Sequence, residues 1–252
     1  MGRRSILIKF MIFFTLFLIY QLIYVYYHGN YEAISINTMI FNTFKGCGFI
    51  EGTTDLTTGK FDLPTAWLFI NSYIIYALGD YFYEDIKVNG KYVLIRTKNM
   101  GQIYIAKIVW SIFMIFIYYS VLIIITSIVG SIFSREAVRY IESKYVNIDT
   151  FTLIKNVFIM YTLTSISLVL VFITLTLWLK PVYSFIVDIV ICLLSVFSQS
   201  KLFLGQHSLL LRHVPFDTFH DLTLNYSIIY NLVLISIVII IGYILSSKKE
   251  VF

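Results

Sequence analysis

Three groups of polar residues in this 252-residue chain have the types and spacing to do chemistry. The first is GTTDLTTGKF at residues 52–61, which has the glycines, threonines and lysine of a phosphate-cradling loop. That motif needs four residues between its glycines and a Ser or Thr after the Lys to hold Mg²⁺. Here six residues separate Gly52 from Gly59 and Phe61 follows Lys60, so the stretch reads as a surface turn. The second is RHVPFDTFHD at 212–221, where His213, Asp217 and His220 stand at i, i+4, i+7 beside Asp221. Imidazoles and carboxylates at that spacing suit a metal, but Pro215 breaks the helix that would align them. The expectation is a wet polar hairpin and no metal. The third is Asp188, which lies inside an apolar run, with Asn71 and Asn231 in similar settings. A carboxyl in lipid is expensive and turns toward the protein interior or water. Asp188 could neutralise itself, pair with Lys180 two turns earlier, or contact cargo. The two asparagines suit interhelical hydrogen bonds, and all three residues are candidates for a substrate path.

None of these groups is a catalytic set. There is no GxSxG nucleophile, no paired-glutamate intramembrane protease motif and no histidine-rich phosphatase set, so the chain is not read as an enzyme. Cys47 and Cys192 form no metal or redox motif. They fall outside and inside the expected membrane, so no disulfide is expected.

The elements that position these residues follow from composition. The chain is 59% hydrophobic and 13% charged, with a mean hydropathy of +0.84, against about 25% charged in a soluble domain. This is the profile of an all-α, multi-pass membrane protein forming a single domain. Apolar runs at about 6–27, 64–83, 103–133, 153–179, 182–198 and 226–245 predict six spans, each near the roughly 20 residues a bilayer core requires. The first run is long, tyrosine-rich and followed by no small-residue cleavage site, so it reads as a retained helix. The third is longer than a crossing needs and predicts tilt or projection.

Lys and Arg set the orientation. With the N-terminus in the cytoplasm, Arg3, Arg4, Lys9, Lys87, Lys91, Arg96, Lys98, Lys107, Lys180, Lys248 and Lys249 lie inside, a majority of the 19 basic residues. Both termini are therefore expected in the cytoplasm. The net charge of +5 follows the membrane and does not point to nucleic acid. Outside lie 29–63, 134–152 and 199–225. Alternating charges in 134–152 predict an amphipathic helix on the outer surface. In 199–225 the apolar stretch Gly205 to Leu211 predicts a re-entrant hairpin that must pack on the bundle. The abundance of Ile, Phe, Tyr and Lys accords with an AT-rich bacterial genome.

The most polar stretch facing the cytoplasm joins the second and third spans. Glu84 and Asp85 close the second span, Asn89–Gly90 signals a turn, and KYVLIRTKN can form two turns of a basic, weakly amphipathic helix. Physics alone allows a loop that fixes topology and touches anionic lipid. The order Glu84, Gly90, Tyr92, Leu94, Arg96, Thr97, Lys98, Tyr104, Lys107 resembles the loop between the second and third helices of ABC-2 type exporter permeases. In that family the loop carries a coupling helix seated in a cleft of a separate ATPase subunit. The fold has six helices with both termini inside and an outer re-entrant hairpin between helices five and six.

The resemblance implies a permease subunit of an ATP-driven exporter in the bacterial cell membrane. Glu84, Asp85, Tyr92, Leu94, Arg96, Thr97 and Lys98 would dock the ATPase. It implies no cofactor in this chain, since ATP and Mg²⁺ would belong to the partner ATPase. A second permease subunit, identical or related, is implied as well. Cargo would be amphipathic or antimicrobial peptides or other hydrophobic molecules, as in bacteriocin export or immunity. The alternative is an immunity, receptor or channel-like membrane protein that works without an ATPase.

Overall fold

The computed structural model describes residues 2–28, 34–49, 63–79, 100–134, 149–214, 216–217 and 222–247, with side chains from Ile6 onward. Seven α-helices are described: α1 (Gly2–His28), α2 (Ile36–Phe44), α3 (Thr65–Gly79), α4 (Met100–Ile132), α5 (Thr150–Leu175), α6 (Pro181–Phe197) and α7 (Leu224–Ser247). Two 3₁₀ turns, Leu204–Ser208 and Leu210–Arg212, form a hairpin between α6 and α7. Among the described residues the only β pairing is the bridge His213–Leu222. The expected all-α membrane architecture is therefore observed.

Among the described residues, four helices are long and apolar enough to cross a membrane: Ile6–His28 of α1, then α4, α5 and α7. Two of the six expected spans are shorter as described. Helix α6 has 17 residues, about 25 Å at 1.5 Å per residue, and the described part of α3 ends at Gly79, before the expected limit at 83. Helix α2, in a segment expected to be loop, is set by a capping box in which Ser35 and Thr38 satisfy each other's backbone N–H. Between α5 and α6 the chain breaks earlier than expected, at Thr176, and Pro181 opens α6 at its first turn, where its missing N–H costs nothing.

Packing of α6 and α7 inverts the pattern of a soluble protein, whereas α1, α3, α4 and α5 bury mainly apolar side chains. The buried residues of α7 are Ser227, Asn231, Gly242 and Ser246, while Ile229, Val233, Ile237 and Ile240 are exposed. Four of the five buried residues of α6 are Ser184, Asp188, Cys192 and Ser195, while Val182, Ile186, Val190 and Leu194 face outward. Lipid rewards this arrangement, because apolar side chains gain nothing by leaving hydrocarbon and small or polar ones let helices approach and bond. Helix α5 is the central post, packed against α2, α4, α6, α7 and the hairpin.

Specific contacts fix helix directions. Near one end the Tyr73 hydroxyl of α3 donates to the Lys9 carbonyl of α1 at 2.6 Å, and Tyr104 of α4 meets Thr174 of α5 at 3.0 Å. At the other end Gln21 of α1 donates to Thr43 of α2 at 2.9 Å, and Trp67 of α3 donates to Ser208 of the hairpin at 2.9 Å. Tyr161 of α5 donates to the Phe44 carbonyl at 2.8 Å. Successive long elements α1, α3, α4, α5, α6 and α7 thus run alternately up and down.

Candidate functional site

A seam of polar side chains runs through the interior, built by the inward faces just described. On α5, Ser165 and Ser167 leave the helix in different directions. Ser165 Oγ donates to Asn71 Oδ1 of α3 at 3.0 Å and lies 2.6 Å from the Tyr119 hydroxyl of α4. Asn71 also receives the Tyr119 hydroxyl at 3.4 Å and donates its own amide to the Trp67 carbonyl at 2.9 Å. Ser167 Oγ donates to Asn231 Oδ1 of α7 at 2.8 Å, and the Asn231 amide donates to the Ser227 carbonyl at 2.9 Å. Both asparagines are fully buried. Each ties α5 to a neighbour, and their amide groups are already occupied.

Asp188 is different. It is 0% exposed, and neither carboxyl oxygen has a hydrogen-bond partner. Of the alternatives the sequence left open, pairing with Lys180 does not form, because Lys180 precedes the first turn of α6 in an exposed position while Asp188 points inward. Cys192 stands one turn further along the same face. Of the substrate-path candidates, only Asp188 makes no side-chain hydrogen bond.

The seam continues into the hairpin, which is buried from Leu204 through Leu210. Gly205 N–H donates to Ser195 Oγ of α6 at 3.0 Å. His207 Nδ1 lies 2.9 Å from Ser227 Oγ of α7, and its ring stacks on Tyr230 at 4.2 Å between centroids. His213 Nε2 donates to the His207 carbonyl at 3.3 Å. Burial pushes both imidazoles down to about 4, with the nearby His213 adding to the effect at His207. Hydrogen bonding at His207 and His213 acts weakly the other way. His207 and His213 are thus buried neutral groups, as suits the apolar stretch around His207 but not the wet setting expected for His213. Among the described residues no three His, Cys, Asp or Glu come together to hold a metal. His220 and Asp221 lie outside the described residues.

Arg212 is the residue sequence reasoning missed. It is 0% exposed, with Nη1 donating to the Ser195 carbonyl at 2.7 Å and Nη2 to the Val196 carbonyl at 2.6 Å. Longer bonds of 3.2 Å reach the carbonyls of Ser198 and Gly48. The guanidinium stacks over Phe49 and lies 3.7 Å from Cys47 Sγ. It ties the hairpin, the C-terminus of α6 and the loop after α2 into one knot. The sequence signal was a lone Arg following the apolar run LLL. Cys47 and Cys192 are both free and buried, and burial pushes the Cys47 thiol up despite the lowering effect of Arg212.

The predicted ATPase-docking residues Glu84, Asp85, Tyr92, Leu94, Arg96, Thr97 and Lys98 lie outside the described residues, as do the turn at 52–61 and residues 135–148 of the expected surface helix. What is described is the start of α4, which follows residues 80–99 in the chain. Tyr104, in the second turn of α4, bonds Thr174 of α5 and reaches the Val238 carbonyl of α7 at 3.5 Å. It packs so closely on Gly242 that a Cβ there would overlap its hydroxyl oxygen. Compared with known proteins, residues 33–252 match a family model described as "Protein of unknown function (DUF2705)". No curated protein and no solved structure matches.

Proposed function

We propose that this chain, which belongs to the DUF2705 family, works as the transmembrane permease subunit of an ATP-driven exporter. Six helices cross the bacterial cell membrane with both termini in the cytoplasm. The 3₁₀ hairpin between α6 and α7 lies at the outer side as a re-entrant element. The chain pairs with a second permease subunit, and each docks a cytosolic ATPase that supplies ATP and Mg²⁺ chemistry. Cargo is an amphipathic or antimicrobial peptide or another hydrophobic molecule.

The observation that carries this reading is the position in the chain of the basic 80–99 sequence. It joins α3 to α4 at the end where Tyr104 locks α4 to α5 and α7. A force applied to the segment enters a rigid three-helix unit within two turns. Tyr92 and Leu94 supply apolar anchoring, Arg96 and Lys98 meet acids in the ATPase cleft, and Glu84, Asp85 and Thr97 frame the contact. Transport also requires that cargo bind the two bundle states with different affinity.

The test is co-purification. Reversing the charge at Arg96 and Lys98 is expected to release an ATPase encoded beside this gene, while the bundle still inserts and its thermal stability is unchanged. An ATPase retained at wild-type level removes these residues from the contact. Function that persists with no ATPase partner favours the immunity or channel-like alternative.

A further inference from the structure

Asp188 is the only acidic residue within any of the described helices. It sits near the middle of α6, about 12 Å from the helix start at 1.5 Å per residue. The side chain faces inward on the stripe Ser184, Asp188, Cys192, Ser195, fully buried and with both oxygens unpartnered. An ionised carboxylate so placed would cost several kcal/mol that nothing nearby offsets.

Among the described residues, the helices around it bring few charged groups. Helices α3 and α7 contain no Asp, Glu, Lys, Arg or His. The only charged residue of α5 is Lys155, in its second turn at the opposite end from α6's start, and that of α4 is Lys107. On α1, the Lys9 ammonium stands 4.6 Å over the Tyr76 ring, and Tyr76 in turn meets Phe185 of α6. The remaining titratable neighbours are the Cys192 thiol on α6 itself and, beyond it, the Tyr119 hydroxyl of α4, which is engaged by Ser165. The hairpin contributes His207, which is bonded to Ser227.

We propose that Asp188 is an internal proton-binding site: its carboxyl carries a proton while α6 is packed as described, and gives it to water when the inward face of α6 becomes wetted. A metal cation is a poorer occupant, because Na⁺- or Ca²⁺-like ions need several oxygen ligands, whereas a proton needs one. The proton enters from water and returns to water, so no other reactant is involved. Opening of the α6 face then releases one proton per chain, and the bundle's conformation becomes linked to pH on whichever side the face opens. This assignment does not depend on an ATPase.

The experiment is infrared spectroscopy of the full chain in lipid nanodiscs, with aspartate carboxyls labelled with ¹³C. At pH 7 the wild type is expected to show an isotope-shifted C=O band of a protonated aspartic acid. Asp188→Asn is expected to abolish it. Should the Asn variant fail to insert, Asp188→Glu serves, since it removes the aspartate signal while keeping an acid. A wild type whose aspartates are all ionised at pH 7, or a band that survives replacement of Asp188, overturns the proposal. Release of the ATPase by the Arg96 and Lys98 reversals leaves this band in place, so the two readings fail separately.

Discussion

Arg212 shows how a buried cation is made tolerable mainly by backbone carbonyls, with the charge of Asp217 adding support. A helix C-terminus leaves its last carbonyls without intrahelical donors and carries a partial negative charge. The guanidinium supplies donors in a planar fork that meets Ser195, Val196 and Ser198 of α6 together. Lysine, a point charge, could not satisfy three carbonyls and Gly48 at once. The two histidines beside it carry a testable consequence. Each is held down to about 4 from the ordinary 6.5, so between those values the unfolded chain binds more protons than the folded one. Stability contributed by the neutral imidazoles is therefore complete above pH 6.5 and is lost as pH falls toward 4. Thermal unfolding in detergent is expected to show a falling melting temperature across that window. Replacing both His207 and His213 by Gln is expected to flatten the slope. An unchanged slope would place the titrating groups elsewhere.

At the scale of elements, the close approach of α4 and α7 rests on a missing side chain. Gly242 leaves room for the Tyr104 ring, and any Cβ would overlap it. Gly242→Leu is expected to force the helices apart and destabilise the bundle by about 1–3 kcal/mol, the usual range for overpacking. Combining it with Tyr104→Ala is expected to recover part of that loss, read as a coupling between the two changes in a thermal-melt cycle. Additive effects would show that the ring and the glycine do not meet. Nothing in the sequence marked Gly242, one glycine in an aliphatic run, because its role depends on a residue 138 positions away. The helices themselves were legible, since apolar runs report lipid contact directly. Helix α2 was not, because nine residues flanked by polar loops carry too little pattern. Asn71, Asp188 and Asn231 were legible as polar residues in apolar runs. Their difference was not: sequence cannot show that the two asparagines find partners and the acid does not. The hairpin's apolar stretch announced its burial, whereas the partners of Arg212, spread from Gly48 to Ser198, could be known only from the fold.

For the whole molecule, the alternation of helix directions has a consequence that needs no assumption about cargo. Lys9, Lys107 and Lys180 belong to one end of the bundle, together with the last turn of α7. Lys45, Ser200 and the hairpin belong to the other. The excess of Lys and Arg at the first end is the basis for proposing that it faces the cytoplasm. The native thiols are buried, so in a background with Cys47 and Cys192 replaced by Ala, single cysteines can report the sidedness of each end. Lys45→Cys and Ser200→Cys are expected to react with a membrane-impermeant maleimide in intact cells. Lys180→Cys and Ser247→Cys are expected to react only after permeabilisation. All four positions are exposed, so protection reflects the membrane and not the fold. If Lys180 and Ser247 report opposite sides, α6 and α7 do not both cross, and the six-span reading fails. If both pairs report the reverse sides, the crossings stand but the segment between α3 and α4 faces outward. A cytosolic motor could not reach it there, and the exporter reading falls while the bundle geometry survives.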